Sequence, residues 1–310
     1  MGGAAGGVIA VRANWSVPFT GPEDTAPPSP RPEGDTDVTA LHRLAALVDS
    51  CLLPTVRGRD GRVPDWILRS LDRGTPGAVV EARGAAARTA ADALRAALPD
   101  ALTGHPGPPR PGGGNAAAAE LVAAGANLHL GVRPGIRADE TRVFVTDLQT
   151  HGVAAALGPF TGTGSLRPFA EGAAAGVRAI SAGRRPAPDD GSLPAMFSSP
   201  AVTGVLRGEL GYGGVVVSET LDEPSIVNGW GVPGAAVLAW IAGVDLVRLG
   251  PSSGAGVREA IHAAAARAVA DGDLPPARLE EAAERVSRLR RWASEPRMPA
   301  AGCTAAAREG

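Results

Sequence analysis

The side chain best placed for chemistry in this sequence is a lone carboxylate, Glu219. It follows the β-branched run Val215, Val216, Val217 and then Ser218, the composition of a buried strand that stops on an acid. Upstream, Val202, Val205, Leu206 and Leu210 recur at close to the helical period, and Gly211 follows them as a helix-ending glycine would. A helix, a glycine turn and a strand in that order deliver the acid to the carboxyl edge of a parallel sheet. Barrels and open sheets built from βα units hold their reacting groups at that edge. A solvated acid at a strand end is the plainer alternative.

Other candidates offer less. Asp222, in Leu221-Asp222-Glu223, is placed to cap a helix or to orient Glu219. Asp190, beside Asp189 after the sixth apolar run, is a candidate proton donor, although Pro-Asp-Asp-Gly reads first as a turn. His129 lies within an apolar run and reads as a core histidine. His42, His105, His151 and His262 show no metal-binding spacing, so no metal is expected. Gly250-Pro251-Ser252-Ser253-Gly254 matches Gly-x-Ser-x-Gly, yet no histidine lies beyond Asp271 and Asp273 to complete a Ser, acid, His order. The loop reads as a glycine-rich turn. Gly162-Thr163-Gly164 and Gly112-Gly113-Gly114 lack the strand and helix context of a phosphate loop.

Composition narrows the chemistry further. The sequence contains no lysine, which excludes Schiff-base catalysis, pyridoxal phosphate attachment and a Walker lysine. No cofactor is implied. A net charge of -2 with dispersed arginines leaves no footprint for nucleic acid or an anionic membrane. Residues 1–10 lack a basic segment and no apolar run approaches the roughly 20 residues of a membrane span, so the expectation is a soluble, cytoplasmic chain. Cys51 and Cys303 are far apart and form no Cys-x-x-Cys, which argues against a disulfide or a zinc site.

The elements that must position Glu219 follow from the alternation of short apolar runs with longer amphipathic stretches. Strands are expected at 51–56, 78–82, 100–104, 127–132, 153–157, 177–182, 215–219 and 244–249. Helices are expected at 65–72, 88–98, 116–124, 141–150, 166–175, 200–210 and 233–242, with two more at 256–270 and 276–294 after the last strand. Eight strands, each followed by a helix, predict an α/β fold of (β/α)8 TIM-barrel type in a single domain. Residues 1–38, rich in Gly and Pro, read as a flexible leader, 39–296 as the barrel and 297–310 as a disordered tail.

The segment from Phe197 to Glu223, FSSPAVTGVLRGELGYGGVVVSETLDE, resembles the LSPAVLTGLLRGELGFDGVVVSDDLDM of glycoside hydrolase family 3 in its β-N-acetylhexosaminidase branch. The likeness extends through Ala235-Ala236-Val237-Leu238-Ala239 and Ala242-Gly243-Val244-Asp245-Leu246, against AAVLALAAGADLLL. It also reaches Leu53-Pro54, Pro64-Asp65-Trp66, residues 124–130 and Leu279-Glu280-Glu281-Ala282. It implies a retaining hydrolase of O-glycosyl bonds whose nucleophile position is Glu219, an acid one methylene longer than the family's aspartate. It also implies a carbohydrate partner, and Arg83 as a substrate-binding residue unless it pairs with Glu81.

Departures from the family gather in the strand-to-helix loops. Gly158-Pro159-Phe160-Thr161-Gly162-Thr163-Gly164 stands where the family has Lys-His-Phe-Pro-Gly-His-Gly. Ser165 follows at once, without the Asp-Ser-His element of the general acid, and Pro106-Gly107-Pro108-Pro109 replaces Asp-x-Glu-Gly-Gly. Two expectations follow: a β-N-acetylhexosaminidase with Glu219 as nucleophile, or a catalytically inactive barrel that binds a saccharide or a protein.

Overall fold

The computed structural model describes residues 34–107, 113–134, 138–187, 191 and 193–295. Strand β1 is split at Pro54 into Leu52–Leu53 and Thr55–Val56. Six strands follow it in parallel and in sequence order: β2 (Gly77–Val80), β3 (Leu102–His105), β4 (Leu128–Val132), β5 (Ala154–Phe160), β6 (Ala179–Ala182) and β7 (Val215–Ser218). Together with the second half of β1 they make one curled sheet. Strand β8 (Val247–Arg248) joins the sheet's two edges. Leu52 and Leu53 of β1 pair in parallel with Val247 and Arg248, and Leu246 bridges Val217 of β7. The Ser218 N–H donates to the Leu246 carbonyl at 2.9 Å, and the ring of eight strands is complete.

The period of two along each strand sorts side chains to inside and outside. Leu53, Val79, Leu102, Leu128, Val217 and Leu246 pack with one another in the lumen, while their neighbours Leu52, Leu157, Ile180, Val216 and Val247 pack outward against the helices. Helix α1 (Gly34–Ser50) lies where the sequence pattern placed no element. Around the barrel run α2 (Asp65–Leu71), α3 (Gly84–Ala97), α4 (Gly113–Ala123), α5 (Ala138–Thr150), α6 (Arg167–Ala174), α7 (Pro224–Ala242) and α8 (Ala255–Ala270). Val286 and Leu289 of α9 (Pro276–Ser294) join the lumen cluster, so this last helix closes the end where the strands begin. The opposite end is the mouth.

Two expected elements differ in form. Residues 200–210 are expected to make an α-helix, but Pro200–Glu209 is a π-helix, with the Leu210 N–H donating to the Val205 carbonyl five residues back. Apolar residues four apart satisfy either winding, so spacing alone does not separate them. The expected strand at 153–157 runs on through Pro159 to Phe160, which takes three residues out of the loop that follows. Helix α7 is, by length and composition, apolar enough to cross a membrane, contrary to the expectation that no segment is. It is broken at Gly231, whose φ is 64°, and buries Ile226, Ala236 and Trp240 in the core.

Candidate active site

Carrying the lumen-facing alternation one step beyond Leu53, Val79, Val217 and Leu246 reaches Thr55, Glu81, Glu219 and Arg248. Two acids, a hydroxyl and a guanidinium therefore rim the mouth. Thr55 donates its hydroxyl to the Leu249 carbonyl at 2.6 Å, a bond across the β1–β8 seam.

Glu219 is seated between two loops. Its N–H donates to the Ala182 carbonyl at the end of β6, at 3.2 Å. Its Oε2 accepts the Arg184 backbone N–H at 2.8 Å and lies 3.5 Å from the Arg184 Nε. The side chain is 26% exposed, so a solute can reach the free face of the carboxylate. The same guanidinium holds Glu223, whose Oε2 is 2.9 Å from Arg184 Nη1. A second carboxyl thus shares the cation of the first. Arg184, in the run Gly183-Arg184-Arg185-Pro186, drew no attention in the sequence because arginine in a Gly and Pro turn reads as solvated surface.

Asp222 neither caps a helix nor touches Glu219. The N-cap of α7 is Glu223, and the Asp222 Oδ2 accepts the Ser252 N–H at 3.0 Å. Asp222 lies so close to Gly250 that a Cβ there would sit 1.7 Å from Oδ1. Its carboxylate therefore fastens the β8–α8 loop to the β7–α7 loop. Arg83 is the exposed N-cap residue of α3 and makes no ion pair among the described residues. The alternative pairing with Glu81 is replaced by Arg57, whose Nε lies 3.0 Å from Glu81 Oε2. Asp190 lies outside the described residues, as does Cys303.

Arg248 is the site residue the sequence reading missed. It is 92% buried by an exposure of 8%, its Nε has no hydrogen-bond partner, and no ion pair reaches it among the described residues. Burial holds its pKa below the usual arginine value, and Glu81, Glu219 and Asp222 pull it back up from a distance. Its signal was available: AAVLALAAGADLLL aligns a leucine with this position. An arginine amid Leu246, Val247 and Leu249 is out of place in an apolar strand.

The remaining candidates take structural places. His129 is 1% exposed, with Nδ1 3.3 Å from the His105 carbonyl and Nε2 unpartnered. Burial, with the neighbouring His105, lowers its pKa to about 4. It is a core histidine, as expected. His262 Nε2 lies 2.9 Å from Asp49 Oδ1, an acid that also pairs with Arg258, so the histidine nearest Gly-x-Ser-x-Gly is committed to joining α1 to α8. The Cys51 thiol is free and buried, and burial pushes its pKa up to about 12. A cavity of about 650 Å³ lies at the closed end, lined by Arg178, Tyr212, Arg285 and Leu289, on the far side of the barrel from Glu219.

Residues 142–289, from α5 to α9 and including Glu219, match the model of the glycosyl hydrolase family 3 N-terminal domain. No curated protein matches the chain. Among solved structures, a family 3 β-N-acetylglucosaminidase from Paenibacillus superposes with a TM-score of 0.68 at 22% identity, over 81% of this chain and 62% of that one. A β-N-acetylhexosaminidase from Beutenbergia cavernae does so at 0.66 and 20% identity, over 80% and 98%. The β-N-acetylglucosaminidase of Thermotoga maritima gives 0.64 at 15% identity, over 79% and 67%. The likeness is one of fold, and the chain spans less than two thirds of the Paenibacillus protein.

Proposed function

We propose that this chain, which belongs to glycosyl hydrolase family 3 through residues 142–289, hydrolyses O-glycosyl bonds of β-linked N-acetylhexosaminides with Glu219 as the nucleophile. The observation that carries the reading is the seat of Glu219: a strand-end carboxylate at the barrel mouth, fixed by one backbone N–H and one guanidinium, with its other face open. In a retaining mechanism such a carboxylate attacks the anomeric carbon as the bond to the leaving oxygen breaks. Water then hydrolyses the glycosyl ester. The backbone bond from Arg184 fixes one oxygen and leaves the other for attack. The added methylene of Glu relative to Asp moves the attacking oxygen by about one bond, and anchoring on the loop that follows β6 is the compensation such a change requires.

The leaving oxygen needs a proton unless it departs as a stable anion. Help of that kind is worth about 10²–10⁴ in rate. Among the described residues, Glu223 is the acid held beside Glu219, and its Oε2 is already engaged by Arg184 at 2.9 Å. That observation favours a second reading, in which the mouth binds a saccharide without turning it over. An aryl β-N-acetylglucosaminide separates the two, because a nitrophenolate leaves without a proton. Turnover by the full chain that vanishes in Glu219→Gln is the expected result. Absence of turnover above that variant, together with saturable binding of N-acetylglucosamine, replaces the hydrolase reading with the binding one.

A further inference from the structure

Arg248 is a charged group in a place that costs free energy and returns none to the folded chain. Burying a guanidinium is unfavourable unless a counter-charge or a full set of hydrogen bonds compensates it. The other charged groups on this lumen-facing register, and the acids beside them, have partners in contact. Arg57 holds Glu81, Arg184 holds Glu219 and Glu223, and the Ser252 N–H holds Asp222. Arg248, buried on the same lumen-facing register as Glu81 and Glu219, has none among the described residues.

The acids nearest to it cannot easily turn to it. Glu219 is tied to the backbone of Arg184, and Asp222 is wedged against Gly250. Arg248 is itself anchored at its backbone, whose N–H donates to the Ser218 hydroxyl at 2.9 Å. A buried guanidinium at the mouth, with no acid in contact and its nearest acids tied elsewhere, is a preorganised receptor for a planar anion. A carboxylate matches its fork geometry, and a charge-assisted pair of that kind is the strong form of hydrogen bond.

We infer that Arg248 makes this barrel selective for saccharides that carry a carboxylate, which the guanidinium pairs with at the mouth beside Glu219. This deepens the proposed function, since it rests on the mouth receiving a saccharide. A neutral sugar would place a hydroxyl against Arg248 and leave its charge uncompensated. An acidic one would supply the missing counter-charge in the same contact.

Titration of the full chain by calorimetry with N-acetylglucosamine, N-acetylglucosaminuronate and N-acetylmuramate tests this directly. The expected result is binding of at least one of the two acids about tenfold or more tightly than the neutral sugar, with the preference weakened by added salt. In Arg248→Leu the preference for the acid over the neutral sugar disappears, and in Arg248→Lys it is reduced. Equal binding of acidic and neutral sugars by the unaltered chain overturns the inference and leaves the saccharide reading standing. So does a preference that survives in Arg248→Leu. Failure of the unaltered chain to bind any of the three sugars overturns both. The comparison among the three sugars needs no variant, so it decides the matter even where a substitution impairs folding.

Discussion

Asp245, just before β8, and Arg248, at its end, are buried charges three residues apart, and their surroundings are opposite. Asp245, fully buried at the closed end, accepts from Arg207 at 2.5 Å, Arg278 at 2.5 Å, Arg285 at 3.2 Å and the Val216 N–H at 2.9 Å. Arg248, at the mouth, has three acids in its neighbourhood and none in contact. One charge is satisfied several times over by its own chain, and the other is left for something outside it. A β/α barrel divides its labour in that direction, with stability at the end where strands begin and chemistry where they finish. The arginines on Asp245 come from the π-helix and α9, so a single carboxylate ties the plug helix to β7 and β8.

Removing the better-satisfied charge should do the greater damage. Asp245→Ala leaves three guanidinium groups facing one another in a buried space, and loss of one partner from such a network costs about 3–5 kcal/mol. Chemical denaturation should show that loss, and a variant within 1 kcal/mol of the parent would mean that the arginines find solvent and that the closed end is not where stability is concentrated.

The histidine pair tests the other end through pH. His129 has a folded pKa of about 4 against an ordinary value near 6.5, because burial disfavours its charged form. The unfolded chain therefore takes up a proton before the folded one does. Stability attached to His129 is fully present above about pH 6.5 and is lost as the pH falls towards 4. A shift of that size corresponds to ~3 kcal/mol across the window. In His129→Phe the stability curve should flatten between those limits, and an unchanged curve would place the acid sensitivity elsewhere.

Gly250→Ala reaches the same end sterically. A Cβ at that position meets the Asp222 carboxylate, so the clamp between the last two loops must open. A cost of about 1–3 kcal/mol is expected, with altered sugar binding if those loops shape the mouth. Gly250 has no positive φ, so the effect reports the collision rather than backbone strain. An alanine variant as stable as the parent, with unaltered sugar affinity, would show that Asp222 moves freely.

How much of this was legible in the sequence follows from what each residue had to satisfy. The eight strands were readable because each must bury both faces, between lumen and helices, and Val215-Val216-Val217 or Val244 to Leu249 can hardly serve another purpose. Glu219 was readable because it interrupts such a run. The extension of β5 through Pro159 was hidden, since a Gly-Pro pair in isolation signals a turn. The winding of Pro200–Glu209 was hidden because its buried residues, Ala201, Val202 and Leu206, fit a helical stripe of either pitch. Arg184 was invisible for a further reason: its partners Glu219 and Glu223 lie 35 and 39 residues on, and only closure of the β6–β7 edge brings them together.

The smallest expected effect is the one that most sharpens the contrast between the two ends. Without a ligand, Arg248→Leu removes a buried charge that has no contact partner and puts an apolar side chain on a lumen-facing strand position. The desolvation cost of the arginine disappears, and the long-range attraction to Glu81, Glu219 and Asp222 disappears with it. Attraction across a wet mouth falls off with distance and dielectric, so the first effect should win. The ligand-free variant is expected to be as stable as the parent, or more stable by on the order of 1 kcal/mol, by thermal and chemical denaturation. A loss comparable to that of Asp245→Ala would mean that Arg248 serves the fold after all and that the two charges differ in geometry but not in purpose.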